Sequence, residues 1–129
     1  MKREIKFRGI NNHGVWIYGS LVYSKNIQAA IYFEVGQGAV KHFDFSYVDK
    51  KSVGQYTGLK DTKGIEIYEG DIIKATYRDG ENDIDGFFEV IYDEGAFSAK
   101  VDTNYAPCLY ELWGKVVIGN IYDNSELLK

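Results

Sequence analysis

Asp79, Glu81, Asp83 and Asp85 stand at alternate positions ahead of Gly86. Oxygen ligands at every second position followed by glycine are the pattern of a calcium loop. Counting from Glu81 places Gly86 sixth, as required, but places Tyr92 twelfth, where a bidentate glutamate belongs. The flanking segments read as strands and not as the helices that frame such a loop. The segment therefore reads as a solvated hairpin loop whose charges discourage edge-to-edge association. His13 and His42 are the two histidines, the first in a turn and the second across a strand from Phe43 and Phe45. With Cys108 the single cysteine, neither number nor spacing suits a zinc site. A Ser-His-Asp triad assembles from distant positions, so spacing does not exclude one, but no Gly-x-Ser-x-Gly elbow supports it. Glu69 and Asp71, two residues apart at a turn, read as surface or capping acids and not as an acid–base pair. Gly36-Gln37-Gly38 lacks the third glycine and the following helix of a dinucleotide site. No catalytic, cofactor-binding or metal-binding residue is assigned, and the chain is expected not to be an enzyme.

A second chemistry to weigh is phosphate binding. Lys2, Arg3, Lys6 and Arg8 cluster at the N-terminus with only Glu4 opposing them, and plentiful aromatic residues offer stacking platforms. Against this, residues 79–94 contribute seven acids and no base, and the formal net charge is −4. Such a balance gives no whole-domain attraction to nucleic acid or anionic lipid. The basic strand reads more simply as a partner for the acidic hairpin, within one chain or between copies. Nucleic-acid binding through Lys2, Arg3, Lys6 and Arg8 stays as the alternative function.

The elements that must position these residues are strands. Hydrophobic residues make up 45% of the 129 positions and charged residues 26%, within the range of a globular domain. Aromatic residues reach 16%, which suits the half-buried faces of a β-fold. Residues 3–8 alternate, with Ile5 and Phe7 on one face. Residues 15–23 read as a β segment interrupted at Gly19. Residues 24–30 are polar and read as loop or one helical turn. Residues 31–35 and 39–45 form a hairpin around Gly36-Gln37-Gly38. Further on, Asp61 to Gly64 closes a tight turn before a strand at 65–68, and Gly70-Asp71 opens a strand at 72–77. Strands at 86–92 and 96–101 bracket a turn at Asp93-Glu94-Gly95, and 116–118 and 120–122 complete the set. Asn124 or Ser125 caps about one helical turn in the tail. Pro107 marks a loop, and no segment sustains helical periodicity. The fold class is all-β. One cysteine, no apolar signal segment and no long apolar run point to a soluble cytoplasmic protein.

Three segments carry a resemblance. They are Arg3 to Arg8 with Trp16, Tyr18 and Gly19 downstream, the block 53–74 (VGQYTGLKDTKGIEIYEGDIIK), and Val117 to Tyr122 with Leu127 and Leu128. Their order and spacing are similar to those of the YopX-like family of phage and prophage proteins. The resemblance implies a complex fold of several coiled antiparallel sheets that includes a small SH3-like barrel. On that basis the chain is one domain, with an N-terminal β portion at about 1–67, the barrel at about 68–122 and a short tail at 123–129. It also implies homo-oligomers and a phage or prophage origin, and it brings no catalytic residues. The family-motif positions are Gly54, Tyr56, Thr57, Gly58, Leu59, Asp61, Tyr68, Glu69, Gly70, Asp71, Gly119 and Asn120. Their expected roles are structural: tight turns, Asp caps and tyrosine hydroxyls bonded to loop backbone. The expected function is a non-enzymatic interaction or assembly module that partners itself and a phage or host protein, with no membrane and no cofactor.

Overall fold

Alternation of apolar and polar residues, broken by glycine-bearing turns, makes ten strands among the described residues. The computed structural model describes residues 2–128. The strands are β1 Phe7–Ile10, β2 Trp16–Ser24, β3 Ile27–Val35, β4 His42–Tyr47, β5 Gly54–Lys60, β6 Glu66–Tyr68, β7 Asp71–Asp79, β8 Asn82–Asp93, β9 Ala96–Lys100 and β10 Trp113–Asn120. Short 3-10 turns occupy Gly38–Val40, Lys50–Ser52, Leu109–Glu111 and Ser125–Leu128. The described residues contain no α-helix, and the architecture is all-β with antiparallel pairing. Two compact units divide between Tyr56 and Thr57, inside β5.

In the first unit β4, β3, β2 and β1 lie side by side in that order, and the start of β5 pairs with β1 through Phe7↔Gln55 and Arg8↔Gly54. One face of this sheet closes on Ala29, Ile31 and Val48, with Phe7, Ile17, Leu21 and Val53 packed around them. Three sequence expectations change here. Residues 24–30 are not a loop, because β2 and β3 form a hairpin in which Ser24 faces Ile27 across Lys25 and Asn26. Gly19 does not interrupt β2, because it pairs with Phe7 of β1, and a Cβ there would lie 2.1 Å from the Tyr32 carbonyl oxygen. The N-terminal strand begins only at Phe7 and extends to Ile10, set by its pairing with Trp16 to Gly19. The hairpin of β3 and β4 forms with Val35 opposite His42, but its second strand starts at His42 and not at residue 39, because Gly38–Val40 takes a 3-10 turn.

In the second unit β10, β7, β8 and β9 make a four-stranded sheet across most of the span expected to form a barrel. Ile73, Ala75 and Tyr77 alternate along β7 into a core with Ile67, Phe88 and Val90. The closing strand is one element, β10, with register shifts between Trp113 and Val116 and between Val117 and Gly119. Such bulges bend a strand and increase its twist. Asp79 and Asn82 flank Gly80, whose φ of 62° suits the first central position of a type II′ turn. Asp93 and Ala96 flank Glu94 and Gly95, which have φ of 50° and 82°, the positive pair of a type I′ turn. Glu94 has the one positive φ outside glycine among the described residues. Asparagine tolerates that conformation better than glutamate. Glu94→Asn is therefore expected to raise stability by about 0.5–1 kcal/mol, read as a higher urea midpoint with an unchanged m-value.

Candidate functional site

The family-motif residues sit at turns and strand ends. Asp61 is 7% exposed, and its carboxylate accepts from three backbone N–H groups. Oδ1 takes Lys63 at 2.8 Å and Ile65 at 2.9 Å, and Oδ2 takes Val117 of β10 at 2.9 Å. Burial acts to raise its pKa, but the three N–H donors and the nearby Lys63 charge outweigh burial and hold it below the ordinary carboxylate value. Asp71 is buried too, and its Oδ2 accepts from the Tyr68 N–H at 2.7 Å. Thr57 donates its hydroxyl to the Ile67 carbonyl and accepts from the Leu59 N–H. Gly58 and Gly70 hold positive φ, and the Gly70 N–H donates to the Val90 carbonyl at 2.8 Å. A Cβ on Gly119 would lie 2.6 Å from Asn124 Oδ1, while Asn120 Oδ1 accepts from the Tyr122 and Asp123 N–H groups. Gly54 pairs with Arg8, and Tyr56 donates its N–H to the Lys6 carbonyl. Leu59 packs on the second core, and Glu69 is half-buried in the turn before β7. The Tyr68 hydroxyl donates to the Glu66 carboxylate at 3.3 Å.

The other candidates disperse. The acidic loop is the tip of the β7–β8 hairpin, where Asp83 pairs with Arg78 at 2.6 Å and Asp85 accepts from the Thr76 hydroxyl at 2.6 Å. No group of three His, Cys, Asp or Glu among the described residues is arranged to hold a metal. His13 lies in the turn between β1 and β2 and His42 opens β4. Cys108 sits at the start of the 3-10 turn Leu109–Glu111 and bridges to Ser98. Burial pushes the Tyr77 phenol up, helped by Asp79, Tyr105 and Asp102. It also pulls the Lys115 ammonium down. Of the basic cluster, Lys2 and Arg3 are exposed. Lys6 pairs with Glu4 at 3.4 Å and sits 5.3 Å from the Tyr56 ring. Arg8 is 5% exposed, its guanidinium 4.4 Å from the Trp16 ring. The four do not present one open cationic surface.

What gathers instead is aromatic. The register aligns Val22, Ala30 and Tyr47 in one cross-strand row and Ser20, Tyr32 and Phe45 in the next. Phe43 follows opposite Glu34. All lie on the sheet face opposite Ile31, because side chains alternate along a strand. Tyr32 stacks on Phe45 with ring centroids 5.1 Å apart, and Phe45 meets Tyr47 edge-on at 5.3 Å. These rings nevertheless stay open to solvent, with Phe43 70% and Tyr47 53% exposed. Val22, Ile27, Gln28, Ala30, Tyr32, Phe45 and Tyr47 line an open groove of about 430 Å³. Sequence reasoning saw an aromatic excess but not this face. The signal was the alternation Phe43, Phe45, Tyr47, which shows its meaning only once β3 and its pairing are known.

A structural comparison finds the crystal structure of protein EF1440 from Enterococcus faecalis. It is 24% identical, covers 99% of this chain and 100% of that one, and has a TM-score of 0.65. A likeness at that identity speaks to the fold. Among curated proteins, none matches the chain. The family model described as YopX protein matches residues 6–129, which includes all three segments of the resemblance apart from its first residues. The chain belongs to the YopX protein family.

Proposed function

We propose that this chain is a non-enzymatic accessory protein of a phage or prophage, working in the host cytoplasm as an oligomeric interaction or assembly module. The observation that carries the reading is the aromatic face of β2, β3 and β4, with its groove of about 430 Å³. A stable face of a monomer would cover such rings or replace them with polar residues. Here they pack on one another and remain available to a partner. The resemblance to YopX-like proteins of phages and prophages is what supports the phage setting and a small SH3-like barrel at about 68–122.

The test joins mass determination of the native protein to affinity capture from phage-infected cells. Phe43→Ser with Phe45→Ser removes two exposed rings while leaving Ile31 and Val48 to hold the unit. The double variant is expected to keep its thermal midpoint within a few degrees and to lower self-association or partner capture at least tenfold. Equal binding by wild type and variant overturns the reading.

A further inference from the structure

The two sheets end in four edge strands, β4, β6, β9 and β10, and the fold protects three of them. Along β9, the Ala99 N–H donates to the Pro107 carbonyl, the Val101 N–H donates to the Tyr105 carbonyl, and Ser98 bridges to Cys108. Along β10, the Lys115 carbonyl accepts from the Thr62 N–H, and the Val117 N–H donates to Asp61 Oδ2. β6 is only three residues long, and its Tyr68 N–H goes to the Asp71 carboxylate. Short or covered edges of this kind resist further pairing. β4 is different. It runs for six residues, and among the described residues no other segment bonds its outer side.

The ladder fixes what that outer side offers. The Val48 N–H bonds the Ala29 carbonyl, so Ser46, Asp44 and His42 bond β3 in turn. The backbone N–H and C=O groups of Phe43, Phe45 and Tyr47 therefore point away from the sheet. Two of these groups are capped locally. The Phe45 N–H donates to Asp44 Oδ1 at 2.8 Å, and the Tyr47 carbonyl accepts from the Ser46 hydroxyl at 3.3 Å. Both caps come from adjacent surface side chains, which an incoming strand can replace. The same three residues carry the solvent-open rings of the aromatic face. A strand added to β4 sets alternate side chains beside those rings, and the others beside His42, Asp44 and Ser46.

We infer that β4 takes an added β-strand from a protein partner, an extended segment of about six residues with large apolar side chains at alternate positions. The inference rests on the interaction-module reading and names the chemistry of the partner. Backbone bonds to β4 hold the segment, and the groove lined by Val22, Ala30, Tyr32, Phe45 and Tyr47 selects its alternate side chains. A single-stranded nucleic acid could stack on the rings, but it has no ladder of N–H and C=O groups to match the edge. Pairing β4 with β4 of a second copy would release the caps on both edges, whereas an added segment releases those on one.

The probes are two libraries of synthetic peptides of about nine residues with terminal lysines for solubility, tested on the full chain. In one, Val, Ile, Phe or Tyr alternates with Thr, Ser or Gln. In the other, the same residues stand in one apolar block and one polar block. Alternating peptides are expected to bind at least tenfold more tightly and to slow amide exchange at Phe43 and Tyr47 at least tenfold. Every second N–H of an added strand points to β4 and the rest point away. N-methylating one alternate set in the best peptide is therefore expected to abolish binding, and methylating the other to leave it within twofold. Equal binding of the two libraries, or unchanged exchange at Phe43 and Tyr47, overturns strand addition. The interaction module then stands if wild type captures a partner that Phe43→Ser with Phe45→Ser loses, and falls if it does not. Protection of Phe43 and Tyr47 that grows with the concentration of the chain alone identifies a second copy on the edge and overturns the partner segment. Single-stranded RNA that displaces the best peptide while leaving those two amides in free exchange overturns it as well.

Discussion

Asp61→Ala is expected to lower stability by about 3 kcal/mol, seen as a large fall in the urea midpoint. The carboxylate ties the 61–65 turn to β10, because Lys63, Ile65 and Val117 all donate N–H groups to it. Hydrogen bonds to a charged acceptor contribute about 1.5–3 kcal/mol each, and buried donors left without an acceptor cost about 1–3 kcal/mol. These contributions overlap, so the total is smaller than their sum. Asp61→Asn should fall between wild type and alanine. Its single carbonyl oxygen can retain the Lys63 and Ile65 bonds, but its NH₂ then faces the Val117 N–H, donor against donor. The same carboxylate gives a pH dependence. Its folded-state pKa lies below the ordinary aspartate value, so the unfolded chain binds the proton more readily. Its stabilisation is fully present above the unfolded value and is lost as pH falls from there through the folded pKa. Wild type should therefore lose stability in acid below about pH 4 more steeply than Asp61→Asn does. Parallel acid profiles for the two proteins would contradict this account.

Gly19→Ala is expected to damage the first unit as severely, at about 3 kcal/mol. The added methyl would meet the Tyr32 carbonyl oxygen at 2.1 Å and the Ile31 side chain at 3.2 Å. The nearest obstacle is backbone in the middle of β3, which cannot rotate aside as a side chain could. Relief requires β2 and β3 to separate where Ser20 pairs with Tyr32, and overpacking that forces side-chain and backbone shifts costs about 1–3 kcal/mol. The aromatic face depends on that pairing, so Gly19→Ala should lose self-association together with stability. Gly58→Ala is a useful contrast. Nothing lies within 4 Å of its added Cβ, so the cost comes only from a φ of 85°. Left-handed backbone costs about 1–2 kcal/mol for a residue with a side chain. Amide exchange along β2 and β3 distinguishes the two, with protection lost in the first variant and kept in the second.

Local features were legible from the chain alone. The turn at Asp61 to Gly64 and the strand β7 follow from glycine's freedom at positive φ, capping acids and strict alternation, all of which act within a few residues. The family was legible because the block 53–74 is long and specific. Features that depend on distant partners were not. Residues 24–30 look polar enough for a loop, yet Ile27 to Ala30 are strand because β2 lies beside them with Ser24 opposite Ile27. Arg8 alternates like a surface cation, but pairing β1 with β2 sets it against Trp16 and buries it. Asp61 reads as a turn cap, and its third bond reaches Val117, 56 residues away. Phe43, Phe45 and Tyr47 alternate as a buried row would, and only the sheet shows that Ile31 and Val48 fill the core on the other side. The sequence by itself determined the all-β class, the tight turns and the family, since backbone preference is short-ranged. Tertiary structure decided which apolar face is covered, since burial depends on neighbours brought together from far along the chain.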